Sequence, residues 1–448
     1  MPENRPNVLL FFADDQRFDT VRALGNDEII TPNIDRLVER GTSYTNASIM
    51  GGTSGAICMP SRAMLMTGRT LFHLDRQGQD IPADHTMMGE AFQSAGYTTF
   101  GTGKWHNGRS AYARSFSHGD RVFFGGMSDH YKVPLNPFDS SGEYPEDRIY
   151  HEEKRHSSDL FAGSARQFLN EYDSEDPFFL YLSFTAPHDP RDTHPEYHAK
   201  YDPETLSLPE NFMPQHPFDM GDFEIRDEKL APWPRTPEIV KEHLAAYYAM
   251  ITHLDAQVGE VLDALDATGK RDNTIIVFAG DNGLAVGQHG LFGKQNMYDH
   301  SVRVPLILSG PGIPEGQRRE AFTYLIDIYP TLFELAGIDT PESMEGQSLV
   351  PTFGNSGEML RDTFLYAYKD FQRAARDRNR KLVEYCVDGV RTTQLFDMEK
   401  DPLEMENLAD NAESADDLVR LRTELNRWHS ELDDPTEPWW NGAGAASQ

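Results

Sequence analysis

Short apolar runs that alternate with helical patterns constrain the fold of this chain most. The run Asn7–Ala13 is uninterrupted and bounded by polar residues, which is typical of a strand buried on both faces of a sheet. The next segment, Thr31–Gly41, has a proline near its start, apolar residues at helical spacing and a terminal glycine, and therefore predicts a helix. A strand followed by a helix indicates an α/β layered fold.

The same alternation continues to about residue 345. Further helices are predicted at 89–96, 159–171, 238–265 and 326–336, and further strands at 97–101, 177–184, 274–279 and 304–309. The span 194–237 is rich in proline and aromatic residues and has no clear period, so we expect a long ordered insertion near a functional edge. The predicted fold class is α/β, with a large central, mostly parallel mixed sheet sandwiched by helices.

The sequence pattern changes beyond about Gly346, where the regular alternation of strands and helices ends. Short runs at 364–368, 381–387 and 393–397 predict antiparallel strands, and residues 412–432 predict a helix. We predict a large domain over 1–345, a smaller C-terminal domain of antiparallel sheet plus helix over 346–436, and a disordered tail over 437–448.

Charge and cysteine content exclude several classes of function. The net charge of −31 argues against nucleic acid or an anionic membrane as a partner, because both require a cationic face. No apolar run approaches the roughly 20 residues that span a bilayer. The two cysteines, Cys58 and Cys386, do not predict a disulfide framework, and Cys386 is interpreted as a strand-core residue.

The N-terminus shows no pattern of a signal peptide. As written, the sequence predicts a cytoplasmic protein, or a periplasmic or secreted one if the chain is a trimmed form of an exported protein. The oligomeric state is left open.

One stretch, Cys58-Met59-Pro60-Ser61-Arg62, points to a reactive site. A lone cysteine is usually a buried structural thiol. If a helix begins near Pro60, however, its free N–H groups and positive dipole end point at Cys58, and Arg62 adds a cation. This pattern favours an anion held beside a reactive group.

Two polar pairs follow predicted strands, Asp14-Asp15 and Asp281-Asn282. Either pair alone is more often a helix cap or a turn. Because ligands of open α/β sheets bind at the carboxyl ends of the strands, the two pairs together suggest one site. Their hard oxygen atoms suit Ca²⁺ or Mg²⁺ and argue against Zn²⁺.

Cations and imidazoles are predicted at the same edge. Lys104, His106 and His188 follow strands and are flanked by glycine or proline, and Lys294 follows a glycine. A solitary histidine is more often a packed or surface residue than a catalyst. Around a divalent metal, these groups and Arg62 would stabilise or protonate a leaving oxygen, as in hydrolysis of phosphate or sulfate esters.

The chain resembles the type I, formylglycine-dependent sulfatases of the alkaline phosphatase superfamily. Cys58–Arg62 with Leu65–Arg69 resembles the family signature. Further segments match the family's other blocks in the same order: Asn7 to Asp15, Gly103–His106, Pro187–Pro190, Asp281–Gly283 and Gly290–Lys294. Leu395 to Leu408 resembles its small terminal domain.

The resemblance implies that Cys58 is oxidised to formylglycine by a formylglycine-generating or other sulfatase-maturating enzyme. In that family the hydrated aldehyde attacks sulfur, polarised by the metal and Arg62. His188, with Lys294 nearby, would protonate the leaving alcohol. His106, near Lys104, would take the remaining proton so that sulfate is expelled. The implied metal is Ca²⁺, with Mg²⁺ second, and the implied ligands are Asp14, Asp15, Asp281, Asn282 and the residue at 58.

The substrate is less constrained. The Pro187–Pro190 block and the segment 194–237 resemble those of iduronate-type and other carbohydrate sulfatases, which implies a sulfated sugar or polysaccharide fragment. A substrate-binding rim could include Arg17, Asp189, Arg191, His289 and His300, although each of these is more readily explained as structural. Two alternatives are a phosphonate monoester hydrolase or phosphodiesterase of the same superfamily, and a catalytically silent protein that binds anionic glycans.

Overall fold

A computed structural model describes residues 5–354 and 357–441. Its centre is an eight-stranded sheet, in which β9 alone runs antiparallel to the other strands. From one edge to the other the strands are Gln317–Arg319 (β10), Gly41–Tyr44 (β2), Leu306–Ser309 (β9), Thr274–Gly280 (β8), Asn7–Ala13 (β1), Phe178–Ser183 (β7), Thr98–Lys104 (β5) and His118–Phe123 (β6).

Helices cover both faces of this sheet, as the sequence predicts. The α-helices are Pro32–Glu39 (α1), Cys58–Thr67 (α2), Met88–Ser94 (α3), Arg109–Ser115 (α4), Ser157–Glu171 (α5), Pro195–His198 (α6), Pro237–Ala267 (α7), Asp299–Val302 (α8), Ile328–Ala336 (α9), Pro351–Gly354 (α10) and Ala415–Glu431 (α11). Alternate residues of β1 enter different cores: Leu9 and Phe11 pack with α5 and α7, and Leu10 packs with α2 and α9. The α/β class is confirmed.

A smaller, five-stranded sheet lies in the C-terminal part. Four of its strands form an antiparallel meander, Phe364–Tyr368 (β12), Gln372–Arg376 (β13), Arg380–Val387 (β14) and Val390–Asp397 (β15). The sequence did not predict β13. The fifth strand, Gly51–Gly52 (β4), comes from the N-terminal part and pairs parallel with β12. A separate pair joins Ala47–Ser48 (β3) and Thr323–Tyr324 (β11).

Two details of the C-terminal part differ from expectation. Cys386 lies in β14 but is only half-buried, so it is not a core residue. In the predicted disordered tail, residues 439–441 form a 3₁₀ turn and Trp440 is buried against the small sheet and α11. The rest of that tail, 442–448, lies outside the described residues.

The span 194–237 is an ordered, irregular segment. It contains α6 and two 3₁₀ turns, Pro203–Thr205 and Asp227–Leu230, and its residues Tyr201 and Leu206 pack against α7. Among the described residues, no helix is both long and apolar enough to cross a membrane.

Candidate active site

The predicted site residues converge at one edge of the large sheet. β8, β1, β7 and β5 are adjacent and parallel, so their carboxyl ends meet. Asp14 and Asp15 follow β1, Asp281 and Asn282 follow β8, and Lys104 ends β5. His188 lies on the loop after β7.

The helix α2 brings Cys58 to this edge. The helix begins at Cys58 itself, slightly earlier than the predicted start near Pro60. The sulfur of Cys58 lies 3.2 Å from Nδ1 of His106 and 3.5 Å from Nζ of Lys104. The first turn of α2 therefore holds the thiol against an imidazole and an ammonium group.

Arg62 organises one side of the site. Its Nε donates to Oδ2 of Asp281 at 2.9 Å, and its Nη2 lies 2.8 Å from the same oxygen in an ion pair. Its Nη1 donates to the carbonyl of Lys104 at 3.0 Å and to Oγ of Ser183 at 2.5 Å. Lys104 Nζ donates to Oδ2 of Asp14 at 2.6 Å. Arg62 therefore contacts residues at the carboxyl ends of β8, β5 and β7.

Asp15 organises the opposite side. Its Oδ1 accepts from Lys294 Nζ at 2.5 Å and from Asn282 Nδ2 at 2.8 Å, while its Oδ2 lies 3.6 Å from His188 Nε2. Burial by itself would raise the pKa of Asp15, but His188 and Lys294 outweigh it and hold that pKa well below its usual range. For Lys294, burial is outweighed by Asp15, which raises the pKa of the ammonium group well above its ordinary value.

The oxygen ligands predicted for a metal fit that role in this structure. Within the described residues, Oδ1 of Asp14 and Oδ1 of Asn282 are buried and have no hydrogen-bond partner. Asp14, Cys58 and Asp281 offer ligand atoms within 4.8 Å of one another. Burial, reinforced for Asp281 by Asp14, raises the pKa of both carboxyls to about 6, and a divalent cation would relieve that penalty.

The surroundings of His106 favour its neutral form. Burial, followed by the cations Lys104 and Arg62, lowers the pKa of His106 well below its ordinary value. Its backbone adopts a left-handed φ of 68°, and Asp15 has a φ of 66°. Such strain in non-glycine residues clusters at functional sites, where surrounding contacts maintain it.

Comparison with known proteins identifies the family. The family described as Sulfatase matches residues 6–338, and the family described as N-sulphoglucosamine sulphohydrolase, C-terminal, matches residues 287–431. The chain is 30% identical to an arylsulfatase of Clostridium perfringens, with 93% of both chains covered. The chain belongs to the sulfatase family. It is therefore a sulfuric ester hydrolase of the alkaline phosphatase superfamily.

Other relatives and solved structures resemble this sulfatase over nearly its full length. It is 25% identical to an N-acetylglucosamine-6-O-sulfatase of Bacteroides thetaiotaomicron, covering 97% of this chain and 88% of that protein. BT4656, solved in complex with its substrate D-glucosamine-2-N,6-O-disulfate, has a TM-score of 0.81 at 23% identity, covering 97% and 100% of the two chains. A phosphonate monoester hydrolase of Agrobacterium radiobacter has a TM-score of 0.77 at 23% identity, covering 96% of each chain. Both of these structures share the fold of this chain.

The rim residues predicted for this sulfatase are mostly engaged in internal contacts. Arg17 pairs with Asp19, and His289 and His300 stack with Tyr298. All three predicted residues are buried, so they do not form an open rim.

Asp189 and Arg191 lie beside His188. Asp189 Oδ1 is 3.3 Å from Nδ1 of His188, and Arg191 bonds Nδ1 of His243 at 2.6 Å. Of the five rim candidates, Asp189 is therefore the one that touches a predicted catalytic side chain.

Sequence reasoning missed several groups that complete the site. The carbonyl of Gly126 accepts from Lys104 Nζ at 2.6 Å, and Arg226 pairs with both carboxylate oxygens of Asp189. Gly126 and Arg226 follow no predicted strand. Gly126 lies in a loop and Arg226 in the irregular 194–237 insertion, so no sequence pattern marked either as a site residue.

Proposed function

We propose that this sulfatase releases sulfate from a sulfated sugar or polysaccharide fragment after Cys58 has been converted to formylglycine. The observation that carries the proposal is the position of Cys58, which begins α2, contacts His106 and Lys104, and offers its sulfur within 4.8 Å of ligand oxygens of Asp14 and Asp281. A hydrated formylglycine at this position supplies an oxygen nucleophile for sulfur.

We propose Ca²⁺ as the metal, held by Asp14, Asp15, Asp281, Asn282 and the residue at 58. Every side chain of this set other than residue 58 offers a carboxylate or amide oxygen, as Ca²⁺ prefers, and Mg²⁺ is the second choice. When bound, the ion would polarise a sulfate oxygen and neutralise the carboxylates. Arg62, which donates one hydrogen bond to Asp281 and forms an ion pair with it, would hold the ligand set in place.

The chain's own residues supply the proton transfers in this proposal. The neutral imidazole of His106 lies 3.2 Å from Cys58 Sγ and is placed to accept a proton from the group formed there. On the other side, His188 Nε2 and Lys294 Nζ both face Asp15, where they can meet a leaving oxygen. His188 is assigned as the general acid and Lys294 as the cation that stabilises developing negative charge.

Sugar sulfates are supported by the relatives. The C-terminal region matches a family named for N-sulphoglucosamine sulphohydrolase, and a full-length relative is named N-acetylglucosamine-6-O-sulfatase. The acidic surface does not oppose this proposal strongly, since distant charges are screened within about 8 to 10 Å at physiological ionic strength. A maturating enzyme is required as a partner, because formylglycine is not genetically encoded.

The test combines mass spectrometry with a substrate screen. The protein is co-expressed with a formylglycine-generating enzyme, and the peptide that contains Cys58 is analysed for conversion. Sulfate release is then measured on sulfated glucosamine derivatives, sulfated oligosaccharides, and phosphonate and phosphodiester substrates. Loss of activity in Cys58→Ala but not in Cys386→Ala is expected.

Two results would overturn the proposal. A higher kcat/KM for phosphorus esters than for every sulfate ester would favour the phosphonate hydrolase alternative, whose solved representative shares this fold. Full conversion of Cys58 without turnover of any ester, combined with glycan binding, would favour the silent binding protein.

A further inference from the structure

A three-residue segment of the 194–237 insertion contacts the loops of both residues assigned to the leaving group. We propose that Arg226, Asp227 and Glu228 are positioning residues, which fix the loop of His188 relative to the loop of Lys294. The inference rests on the proposed roles of those two residues and extends them to a part of the chain outside the predicted site.

Arg226 holds the His188 loop. Its Nη1 and Nη2 donate to the two carboxylate oxygens of Asp189, with Nη2 3.1 Å from Oδ1. Asp189 is buried, and its carbonyl oxygen lies 2.8 Å from Nδ1 of His188. Because Nδ1 is engaged there, Nε2 is the imidazole nitrogen that faces Asp15 and the site. The guanidinium of Arg226 thus fixes the residue that orients the imidazole.

Asp227 holds the Lys294 loop through Gln295. Oδ2 of Asp227 accepts from Nε2 of Gln295 at 2.7 Å, and Oε1 of Gln295 accepts from the backbone N–H of Lys294 at 3.0 Å. The same Nε2 donates to the carbonyl of Gly55 at 3.0 Å, shortly before Cys58 in the chain. Arg226 Nη2 also donates to Oδ1 of Asp227 at 2.5 Å, which joins the two halves of the contact.

Glu228 fixes the backbone just before Lys294. Its Oε1 accepts from the N–H of Gly293 at 2.7 Å, and both of its carboxylate oxygens accept from the N–H of Phe292. Arg235 neutralises the buried carboxylate at 2.6 Å. A side chain at Gly293 would meet Oε1 of Glu228 at 2.8 Å, so the approach is close.

The two loops are therefore joined twice. On the inner side His188 and Lys294 both meet Asp15. On the outer side the 226–228 segment contacts the Asp189 carboxylate of one loop, and the Gln295 side chain and two backbone N–H groups of the other. A displacement of about 1 Å of a catalytic group can cost roughly 10²-fold in rate. The loss of rate should be largest for substrates whose alcohol is a poor leaving group, because its departure depends on a well-placed acid.

The experiment compares leaving groups. Arg226→Ala and Asp227→Ala are assayed on 4-nitrophenyl sulfate, whose 4-nitrophenolate leaves without protonation, and on the sugar sulfate that the wild type hydrolyses best. We expect kcat/KM to fall about 10- to 100-fold on the sugar sulfate and less than about 3-fold on the aryl sulfate. Arg226→Lys, which keeps the charge without the two-pronged contact, should fall between wild type and Arg226→Ala.

Lys229→Ala is the matched control. Lys229 lies in the same 3₁₀ turn but is exposed and pairs only with the exposed Glu224 among the described residues, so its activity on both substrates should equal that of the wild type. Circular dichroism and the formylglycine content of each variant show whether folding and maturation are intact. If the buried Asp227→Ala fails to fold, the half-exposed Arg226→Ala carries the test.

His188→Ala, assayed in parallel, separates this inference from the proposed function. One outcome would overturn the inference alone. In it, His188→Ala loses kcat/KM selectively on the sugar sulfate, whereas Arg226→Ala loses kcat/KM equally on both substrates or on neither. Equal losses on both substrates in His188→Ala would remove the acid role of His188, and the inference with it.

Discussion

At the scale of single residues, the buried carboxylates favour the binding of a cation in the proposed site. Asp14 and Asp281 carry a pKa raised to about 6 by burial, although Arg62 and Lys104 lie beside them. Two further oxygens, on Asp14 and Asn282, lack hydrogen-bond partners within the described residues. Buried polar atoms without partners are costly, so these residues are arranged for a ligand that accepts electron pairs.

Removal of the metal should therefore abolish activity. We expect dialysis against a chelator to remove turnover, and Ca²⁺ to restore it, because the ligands at 14, 15, 281 and 282 are hard oxygens. Restoration by Zn²⁺ alone would contradict the assignment, since no thiolate or imidazole belongs to the proposed set once Cys58 is converted. The measurement is the rate of sulfate release against added metal, with the metal content determined by elemental analysis.

Arg62→Lys should be strongly damaging although it keeps the charge. Arg62 makes two contacts with Asp281 and others with Ser183 and the carbonyl of Lys104, and one ammonium group cannot reproduce this planar fork. We expect kcat/KM to fall on the order of 10²-fold or more. Arg319→Lys is the control, because Arg319 is also buried but donates to the carbonyls of Thr352 and Phe353, outside the site. Similar rates in both variants would contradict the role of Arg62.

The sequence was sufficient to predict that the candidate site residues lie together, but not which contacts join them. Asp14, Lys104 and Asp281 could be placed together because each follows a strand, and parallel strands end at a common edge. The contact of Arg226 with Asp189 could not be predicted, because it joins an irregular insertion to a loop and depends on tertiary packing alone.

At the scale of elements, strands buried on both faces were predicted best. β1 and β8 agree with the predicted bounds to within one residue, because continuous apolar runs leave little ambiguity. β13, with the sequence Gln-Arg-Ala-Ala-Arg, has no β-branched or aromatic residue, and it is a strand because β12 and β14 pair with both of its edges. Tertiary pairing here overrides local propensity.

The start of α1 offers a test of pH dependence at the element scale. Asp255, on α7, accepts from the backbone N–H groups of Asn33 and Ile34 in the first turn of α1. Burial raises the pKa of Asp255 to about 6, above the 3.8 of an exposed carboxyl, although these hydrogen bonds oppose the shift. Between about pH 4 and pH 6 the folded state therefore keeps a proton on Asp255 that the unfolded chain has already released. The free energy of unfolding contributed by Asp255 therefore falls from about pH 4 to pH 6, by up to about 3 kcal/mol.

Asp255→Asn should remove this dependence. We expect the melting temperature of the variant, relative to wild type, to rise between pH 4.5 and pH 7.5, because asparagine has no proton to lose. Asp263→Asn, at an exposed position of the same helix, is the control and should show a constant difference. A constant or falling difference for Asp255→Asn would contradict the raised pKa.

At the scale of the whole molecule, the two sheets are joined next to Cys58, the proposed site of the nucleophile. β4 belongs to the N-terminal part, pairs with β12 of the small sheet, and lies shortly before Cys58. Asp299, at the start of α8, pairs with Arg376 and Lys381 of the small sheet, and all three are buried. The predicted division of the chain at 345/346 stays a prediction, and the small sheet contains residues from both sides of it.

This connection predicts that Gly51→Ala impairs both stability and activity. Gly51 has a φ of +93°, and an added Cβ would lie 2.1 Å from the carbonyl oxygen of Ala367, so β4 and β12 would have to separate. Gly389 is the matched control, because its φ is +80° but nothing lies within 4 Å of its Cβ position among the described residues. Gly389→Ala should cost about 1 to 2 kcal/mol from backbone strain alone and leave kcat/KM unchanged. Gly51→Ala should melt at a lower temperature than Gly389→Ala and also lose sulfatase activity, since the displaced strand leads into the Cys58 helix. Equal melting temperatures and equal activities would show that the small sheet does not support the nucleophile.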